Sequence, residues 1–294
     1  MPSVTSVDAL SPGLLEELSQ ILGSRGVSVD QNEIAPHLSD WRSLYHGAAA
    51  ALIKPDSTAA LAQAVKVLAA AGIAMVPQGG RTSMVGGATP DASVNQVVVS
   101  MLRLNRIRDI DTLDMSIVAE AGVILKNLQD AAMAAECYFP LSLASEGSAT
   151  VGGVLSTNAG GNTTVRYGNA RELMLGLEVV LPNGEIIHGL RRLRKDNTGY
   201  ALRHLFVGGE GTLGIITAAA LRLFPRGNDE CAGAVHGPRR RRCAGAVPAL
   251  PPAGRDRDPV VRVHVRRSFQ LPTFPAAPIS APSSISVNLE RPRQ

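Results

Sequence analysis

Glycine-rich clusters in the middle of the chain constrain its fold more than any other feature. The first cluster, PQGGRTSMVGG at 77–87, directly follows a short apolar strand predicted for Ile73–Val76. Glycine allows a backbone to approach a ligand closely, and successive free N–H groups in such a loop form a cradle for an anion. Hydroxyls at Thr82 and Ser83 add donors for a phosphate oxygen. The segment predicts a phosphate-binding loop, with a tight turn that binds no ligand as the alternative.

Three further clusters follow this loop along the chain. EGSATVGGVLSTNAGG at 146–161 contains five glycines and many small hydroxyl residues. Such residues cannot pack a core themselves, so they predict backbone against which a large flat ligand lies. Val151, Val154 and Leu155 argue against a flexible linker. RKDNTGY at 194–200 is polar, and GGEGTLGII at 208–216 joins a glycine-rich turn to an apolar strand that ends near Leu223.

Hydrophobic periodicity and turn residues predict both helices and strands. The predicted helices run over 12–22, 58–71 and 124–136, and the predicted strands over 73–76, 97–101 and 115–119. Pro182, Asn183 and Gly184 predict the turn of a hairpin over 177–190. Since these elements mix without a long βαβ repeat, the fold class is predicted as α+β. The predicted divisions are a helical segment at 1–38, a domain at 39–225 and a tail at 226–294.

Several common sites are absent from the sequence. It has no GxGxxG between a strand and a helix and no GxxxxGK[ST], which argues against a Rossmann NAD site and a P-loop. It also lacks HExxH and GxSxG. The histidines at 37, 46, 188 and 204 are scattered. An odd, sparse set of three cysteines predicts neither a disulfide framework nor a zinc site.

The tail at 226–294 differs from the rest of the chain. It holds 12 Arg, no Lys and 5 acidic residues, and ten prolines lie between Pro238 and Pro292. One interpretation is a disordered Pro/Arg-rich extension. Our preferred hypothesis is an out-of-frame reading of GC-rich coding sequence. Nucleic-acid binding by the tail is a weaker alternative, because Phe269 and Phe274 are its single aromatic pair.

Targeting signals are not apparent in the sequence. No apolar run approaches the ~20 residues that a membrane span needs, and the first residues lack a basic region followed by an apolar stretch. The chain is therefore expected to be cytoplasmic, without a transmembrane segment.

The five segments PQGGRTSMVGG, EGSATVGGVLSTNAGG, RYG at 166–168, RKDNTGY and GGEGTLGII, in this order, resemble the FAD-binding domain of the vanillyl-alcohol oxidase (PCMH) type. Within that type the resemblance is greatest to the D-lactate, glycolate and D-2-hydroxyglutarate dehydrogenases. Asp40 and Trp41, before Tyr45 and Gly47, are similar too. The resemblance implies two α+β subdomains with FAD between them. Family members continue into a cap domain with a metal-binding histidine cluster, and no similar segment follows Pro225.

The resemblance also implies which residues contact the cofactor. Residues of the first loop would surround the diphosphate: Pro77, Gly79, Gly80, Arg81, Thr82, Ser83, Gly86 and Gly87. Residues of the second cluster would line the diphosphate and ribityl side or approach the isoalloxazine ring: Gly147, Ser148, Gly152, Gly153, Thr157, Asn158 and Gly161. Residues of the last cluster would close over the cofactor: Gly211, Gly214 and Ile216.

The chain departs from the family at two of these positions. The family commonly has Asn where this chain has Arg81, and Gly where it has Ser83. Arg81 could add a charged contact to phosphate, whereas Ser83 would need a φ that a side chain tolerates. Because no His or Cys lies in the first two loops, FAD is expected to be non-covalent. No metal is expected.

The function implied by the resemblance is oxidation of a small D-2-hydroxy acid to a 2-oxo acid by hydride transfer to flavin. The alternative is a non-catalytic FAD-binding fragment of such an enzyme. No catalytic residue is assigned, because Arg194 and Lys195 are as well explained as solvated charges. The electron acceptor remains open among a quinone, an electron-transfer flavoprotein, a cytochrome and oxygen, and the sequence is silent on oligomeric state.

Overall fold

The computed structural model describes residues 10–91, 95–227, 229–236, 260–265 and 284–291. Its eight α-helices within these ranges are α1 Pro12–Leu22, α2 Gln31–Ile34, α3 Thr58–Ala70, α4 Leu125–Ala134, α5 Val151–Ser156, α6 Thr164–Tyr167, α7 Ala170–Leu173 and α8 Arg203–Phe206. Short 3-10 turns occur at Ala35–His37 and Met101–Arg103.

The strands form four separate sheets. In chain order they are β1 Val27–Ser28, β2 Ala51–Ile53, β3 Ala74–Gln78, β4 Gln96–Ser100, β5 Ile107–Asp111, β6 Ser116–Glu120, β7 Cys137–Tyr138, β8 Met174–Val180, β9 Ile186–Gly189, β10 Ile215–Arg222, β11 Phe224–Pro225, β12 Asp229–His236, β13 Val260–Val265 and β14 Ser284–Arg291.

The first sheet has the strand order β1-β2-β4-β3, with β2 and β3 both parallel to β4. Two of the helices beside it, α1 and α3, are ones that the sequence predicts, whereas the one-turn helix α2 was not predicted. Ser11 caps α1 by accepting a hydrogen bond from the N–H of Leu14, and α1 ends at Leu22, as predicted, with Gly23 as its C-cap. Leu18 and Leu22 on α1 pack with α3 in one apolar core. The predicted N-terminal segment therefore shares the core of the first sheet, and its division at residue 38 remains a proposal.

The second sheet is antiparallel throughout, with the order β5-β6-β10-β8-β9. The hairpin predicted at 177–190 is confirmed, and Gly184 in its turn has φ +82°. Apolar residues at alternate positions predict a half-buried strand at 115–119, but this prediction is wrong, since all five residues of β6 are buried. With one mixed and one antiparallel sheet, the α+β fold class is confirmed.

The two sheets meet through α3 and the strand ends of the second sheet. Val180 on β8 and Ile215 on β10 belong to the same apolar core as Leu61 and Val65 on α3. The separate core of the second sheet is formed by α4, α5, α7 and the inner faces of β6, β8 and β10. This arrangement leaves a cleft between the end of β3 and the first turn of α5.

Two smaller sheets complete the described structure. β7 pairs with β11, and β12, β14 and β13 form an antiparallel sheet within the tail. The tail's disorder and its out-of-frame origin remain hypotheses, and most of its residues lie outside the described ranges. Of the helices in the described part, none is long and apolar enough to cross a membrane.

Candidate functional site

A cleft of about 500 Å³ lies between the two sheets. Its walls come from the end of β3 and the loop after it, from α5, and from the turn that leads into β10. This volume is in the range of cofactor and ligand sites. The cleft therefore stands where the glycine-rich clusters of the sequence converge.

The loop at 79–88 brings its backbone very close to the opposite wall of the cleft. A Cβ on Gly80 would collide with the carbonyl oxygen of Ser148, and one on Gly79 would collide with Oγ1 of Thr150. Within the described ranges, the backbone N–H groups of Gly80, Arg81 and Thr82 donate no hydrogen bond. Consecutive amides without partners beside a cleft fit an anionic group such as a diphosphate.

Arg81 and Ser83 depart from the family pattern in different ways. Arg81 has φ +52°, in the left-handed region that glycine and asparagine adopt most readily. Ser83 lies outside that region, so it does not need the conformational freedom of glycine. The family preference for Asn at position 81 thus has a backbone explanation, and Arg81 adopts the same geometry under strain.

The second cluster folds differently from its sequence expectation. Residues 151–156 form α5, and Val151 and Leu155 are each 1% exposed. Its apolar residues pack into the core of the second sheet, and its glycines allow other backbone to approach closely. A Cβ on Gly152 would lie 2.7 Å from that of Ala121.

The amides at the start of α5 already have partners inside the protein. Val151 N–H donates to the carbonyl of Val123 at 2.9 Å, and Gly152 N–H donates to the carbonyl of Ala121 at 2.8 Å. Gly153 N–H donates to the side chain of Thr150 at 3.3 Å. The free amides of the cleft therefore belong to the 79–88 loop and not to this turn of α5.

The turn at 208–211 packs on the other end of α5. Gly208 N–H donates to the carbonyl of Leu155 at 3.1 Å, and Glu210 N–H donates to that of Ser156 at 2.9 Å. These bonds satisfy helix carbonyls that lack partners within the helix. Gly211, with φ +81°, lies against the ring of Pro77. The turn thereby joins α5 to the end of β3 and closes one side of the cleft.

The loop around Asp40 supports the same region from outside. Asp40 accepts hydrogen bonds from the N–H groups of Tyr45 at 2.8 Å, Leu44 at 2.7 Å and Arg42 at 3.2 Å. These bonds, chiefly that from Tyr45, hold the pKa of its carboxyl below the usual value although burial opposes them. Gly86 then packs on the ring of Tyr45. The Asp40 segment therefore acts as a scaffold for the glycine-rich loop.

Two ionisable side chains line the cleft among the described residues, Arg81 and Glu210. The carboxylate of Glu210 approaches Gly87. Arg194 and Lys195 lie elsewhere, and Arg194 donates to the carbonyl of Asp114 at 3.3 Å. Neither of these two residues contributes to the described walls of the cleft.

Most of the sequence-predicted contact residues line the cleft. They are Pro77, Gly79, Gly80, Arg81, Thr82, Ser83, Gly87, Gly152, Gly153, Thr157, Gly211 and Ile216. The others lie just outside its walls: Gly86, Gly147, Ser148, Asn158, Gly161 and Gly214. Gly161 and Gly214 permit close backbone packing, and Asn158 accepts a hydrogen bond from Arg171 N–H at 3.1 Å. A cofactor contact for any of these residues remains a prediction.

Further lining residues were not assigned from the sequence. Some lie inside the quoted motifs: Gln78, Met84, Val85, Ala149, Thr150, Val154, Ser156, Ala159, Gly160, Glu210 and Ile215. Their position within a motif is the sequence signal that could have identified them as lining residues. The others come from separate elements: Ala88, Met101, Ala121, Leu143 and Ser145. No local pattern marks them, because tertiary folding brings them to the cleft.

A metal site finds no support in the described part of the chain. No three or more His, Cys, Asp or Glu side chains cluster there in a way that could hold an ion. The expectation of no metal stays a prediction for the whole chain.

Comparison with known proteins agrees with this geometry. Residues 49–189 match the family described as FAD binding domain. The D-2-hydroxyglutarate–pyruvate transhydrogenase of Saccharomyces cerevisiae is 41% identical over 189 residues, which are 64% of this chain and 38% of that protein. The mitochondrial D-2-hydroxyglutarate dehydrogenase of Arabidopsis thaliana is 37% identical over 225 residues, 76% of this chain and 39% of that protein. The chain thus spans less than half the length of these relatives.

Solved structures share the fold. An alkyldihydroxyacetonephosphate synthase superposes with a TM-score of 0.73 at 21% identity, covering 83% of this chain and 46% of that protein. A p-cresol methylhydroxylase gives 0.68 at 21% identity, covering 82% of this chain and 49% of that protein. The solved structures support the predicted fold. The family match and the sequence relatives confirm the predicted resemblance, and the family match supports FAD as the cofactor of this domain type. Residues 49–189 of the chain are therefore similar to the FAD binding domain family.

Proposed function

We propose that this chain binds FAD non-covalently in the cleft and takes part in oxidising a small D-2-hydroxy acid to a 2-oxo acid. The observation that carries the proposal is the 79–88 loop, whose unpartnered amides at 80–82 border a cleft shaped by glycine. The predicted residues that line the cleft are the proposed FAD contacts. Non-covalent binding is supported because the described lining residues include neither His nor Cys.

The chemistry divides between cofactor and protein. When bound, FAD would supply the two-electron chemistry, as the acceptor for the hydride of the hydroxy acid's α-carbon. The chain's own residues hold the cofactor: amides at 80–82 and the guanidinium of Arg81 would neutralise the diphosphate. The backbone at Gly79 and Gly80 lies so close to Thr150 and Ser148 that neither position has room for a side chain.

The substrate class is proposed from the relatives. Those named above are a transhydrogenase and a dehydrogenase of D-2-hydroxyglutarate, and a further relative from Schizosaccharomyces pombe is a putative D-lactate dehydrogenase. A small D-2-hydroxy acid of the lactate, glycolate or 2-hydroxyglutarate type is common to these activities and the sequence resemblance. The electron acceptor remains open.

A second candidate is a flavin-binding protein that does not oxidise hydroxy acids. It is favoured by the sparse charge of the cleft, in which Arg81 is the one cation among the described lining residues. Oxidation of a hydroxy acid requires a cation that binds the substrate carboxylate and a base that accepts the hydroxyl proton. If Arg81 neutralises the diphosphate, the described walls hold no second cation for the substrate.

Anaerobic flavin reduction tests both candidates. The purified chain is loaded with FAD, its flavin spectrum is recorded, and D-lactate, D-2-hydroxyglutarate or the achiral glycolate is added, with L-lactate and L-2-hydroxyglutarate as controls. Bleaching by glycolate, or by a D-acid but not by its L-enantiomer, supports the enzyme. A bound flavin that none of these acids reduces supports the second candidate, and protein that takes up no FAD contradicts both.

The cytoplasm is our proposed location. The Arabidopsis thaliana and Bos taurus relatives are named as mitochondrial proteins, so the two compartments are the alternatives to separate. Fractionation of cells that express the tagged chain, with marker proteins for both compartments, decides between them.

A further inference from the structure

The side chain of Gln78 ties together both ends of the glycine-rich loop. Gln78 is the last residue of β3 and is 2% exposed. Its Nε2 donates to the carbonyl of Ala88, at the far end of the loop, at 2.5 Å. The same nitrogen donates to the carbonyl of His37 at 2.8 Å, and Oε1 lies 2.7 Å from His37 Nδ1. We call these three hydrogen bonds the Gln78 clasp.

The donors and acceptors of the clasp are fixed by its chemistry. Carbonyl oxygens only accept hydrogen bonds, so the group that faces His37 O and Ala88 O must be the amide NH₂ of Gln78. Oε1 then faces His37 Nδ1 and can only accept. His37 therefore carries a proton on Nδ1, and both donors and the acceptor of the Gln78 amide are used.

The clasp closes the loop that holds the free amides. Residues 79–88 have few other internal hydrogen bonds in the described structure: Thr89 N–H donates to Gly86 O at 2.9 Å, and Val85 N–H meets Ser83 Oγ at 3.4 Å. The amides at 80–82 have no partner that would fix their direction. Their placement depends on how the two ends of the loop are held.

We propose that Gln78 is a positioning residue, which holds the 79–88 loop in the shape that presents its amides at 80–82 to the FAD diphosphate. This inference rests on the proposed binding of FAD. Gln78 acts through the loop, because its own side-chain atoms are fully engaged by His37 and Ala88. Without the clasp, the 79–88 loop also adopts open shapes that do not present its amides. The apparent affinity for FAD then falls in proportion to the fraction of molecules whose loop is closed.

The proposal predicts a loss that is selective for ligands with phosphate. The variant Gln78→Met keeps the length of the side chain but removes every hydrogen bond of the clasp. FAD affinity of the apoprotein is expected to fall by about tenfold or more, because the closed state of the loop loses all three hydrogen bonds of the clasp. Affinity for riboflavin, which lacks phosphate, is expected to change less than about twofold because the loop amides do not contact it.

The control is Gln96→Met. Gln96 is also a buried glutamine, 9% exposed, and its Oε1 accepts from Asp91 N–H at 2.8 Å at the start of β4. Unfolding of both apoproteins is followed in denaturant, so that affinities are compared at known stability. Gln96→Met is expected to lose stability while its ratio of FAD to riboflavin affinity stays near that of the unchanged chain.

A second variant keeps the test decisive if Gln78→Met does not fold. His37→Ala removes the Nδ1 donor from a half-buried position and leaves Gln78 in place. It is expected to weaken FAD binding by about threefold and to spare riboflavin binding, since one of three bonds of the clasp is lost.

The outcomes separate this inference from the proposed function. If the unchanged chain binds no FAD, the proposed function fails, and the role of Gln78 fails with it. If the unchanged chain binds FAD but the clasp variants keep its ratio of FAD to riboflavin affinity, the role of Gln78 is overturned while FAD binding stands. A selective loss of FAD affinity in either clasp variant, with Gln96→Met unaffected, supports the clasp.

Discussion

The hydroxyl of Thr58, in the first turn of α3, donates a 2.7 Å hydrogen bond to Oε1 of Glu178 on β8. The same carboxylate accepts from Thr217 at 2.9 Å and pairs with Arg108 at 3.0 Å. Burial raises the pKa of Glu178, but the hydrogen bonds from Arg108, Thr58 and Thr217 outweigh it and leave that pKa below its usual value. This buried carboxylate therefore links the helix of the first sheet to the second sheet.

Replacing Glu178 with Leu is expected to lower the free energy of unfolding by about 2 kcal/mol. Thr58 loses its acceptor and Thr217 keeps only the backbone carbonyl of residue 178, while Arg108 keeps Glu120. Denaturant unfolding of the apoprotein measures the loss. Asp130→Asn is the control, since it breaks the exposed pair with Lys126 and should cost less than about 0.5 kcal/mol. Equal losses in the two variants would contradict a linking role for Glu178.

Gly80→Ala is expected to weaken FAD binding by about tenfold or more, which corresponds to 1.4 kcal/mol or more. The added Cβ would collide with the carbonyl of Ser148, so the loop and its free amides must move. Titration of the apoprotein with FAD, followed by flavin fluorescence, measures the affinity.

Gly147→Ala provides the comparison, because a Cβ there meets no atom within 4 Å and Gly147 lies outside the walls of the cleft. Its FAD affinity should stay within about twofold of the unchanged chain. A large loss in Gly147→Ala would instead favour the direct contact that the family resemblance implies for this glycine.

Arg81→Asn is expected to stabilise the apoprotein by about 1 kcal/mol. Arg81 holds φ +52°, and asparagine tolerates this left-handed backbone better than arginine does. Thermal and denaturant unfolding without FAD measure the gain. Arg42→Asn is the control at an exposed position outside the left-handed region, and it should give no gain. A stability loss in Arg81→Asn would mean that the arginine side chain compensates for the strain.

The same substitution also tests the charge of Arg81. If the guanidinium contacts the diphosphate, Arg81→Asn should bind FAD about tenfold more weakly while the apoprotein is more stable. A gain in stability without loss of affinity would restrict the role of Arg81 to its strained backbone.

Local patterns predicted those parts of the fold that depend on neighbours in sequence. The cap at Ser11, the end of α1 at Gly23 and the hairpin turn at Gly184 each follow from one residue and its immediate context. The helix α5 was missed because its glycines disfavour helix in isolation. Its stability comes from Ala121 and Val123 at one end and the turn at 208–210 at the other, which are distant in sequence.

The strand β13 was missed for a different reason. Val261, Val263 and Val265 alternate with Arg262 and His264, a period-two pattern with β-branched residues that predicts a strand. The arginine and proline content of the surrounding tail concealed this short signal. Composition describes a long segment on average and does not exclude a strand of six residues within it.

In the candidate site, too, local patterns predicted some features and missed those that depend on residues distant in sequence. The motifs identified the loop and the turn that border the cleft, because glycine marks close backbone approach wherever it occurs. They could not distinguish Gly80, whose amide is free, from Gly152, whose amide donates to Ala121. That difference depends on which distant carbonyl the folded chain places beside each amide.

The imidazole of His37 makes the stability of the chain depend on pH. Burial penalises its charged form and lowers its pKa below the usual value; the bond to Gln78 opposes this shift, while repulsion from Arg81 and Lys54 adds to it. The unfolded chain takes up this proton near the ordinary pKa of about 6.5, before the folded chain does. The contribution of His37 is therefore fully present above that pH, and stability falls as the pH drops from about 6.5 toward the lower pKa of the folded state.

His37→Gln should remove part of this fall, measured as the free energy of unfolding between about pH 7.5 and pH 5. Burial lowers the pKa of His204 as well, so a smaller slope of the same sign is expected to remain. Because Nδ1 of His37 is protonated in both charge states, its bond to Gln78 persists in acid. An unchanged slope in His37→Gln would show that His37 takes up its proton equally in the folded and unfolded chains.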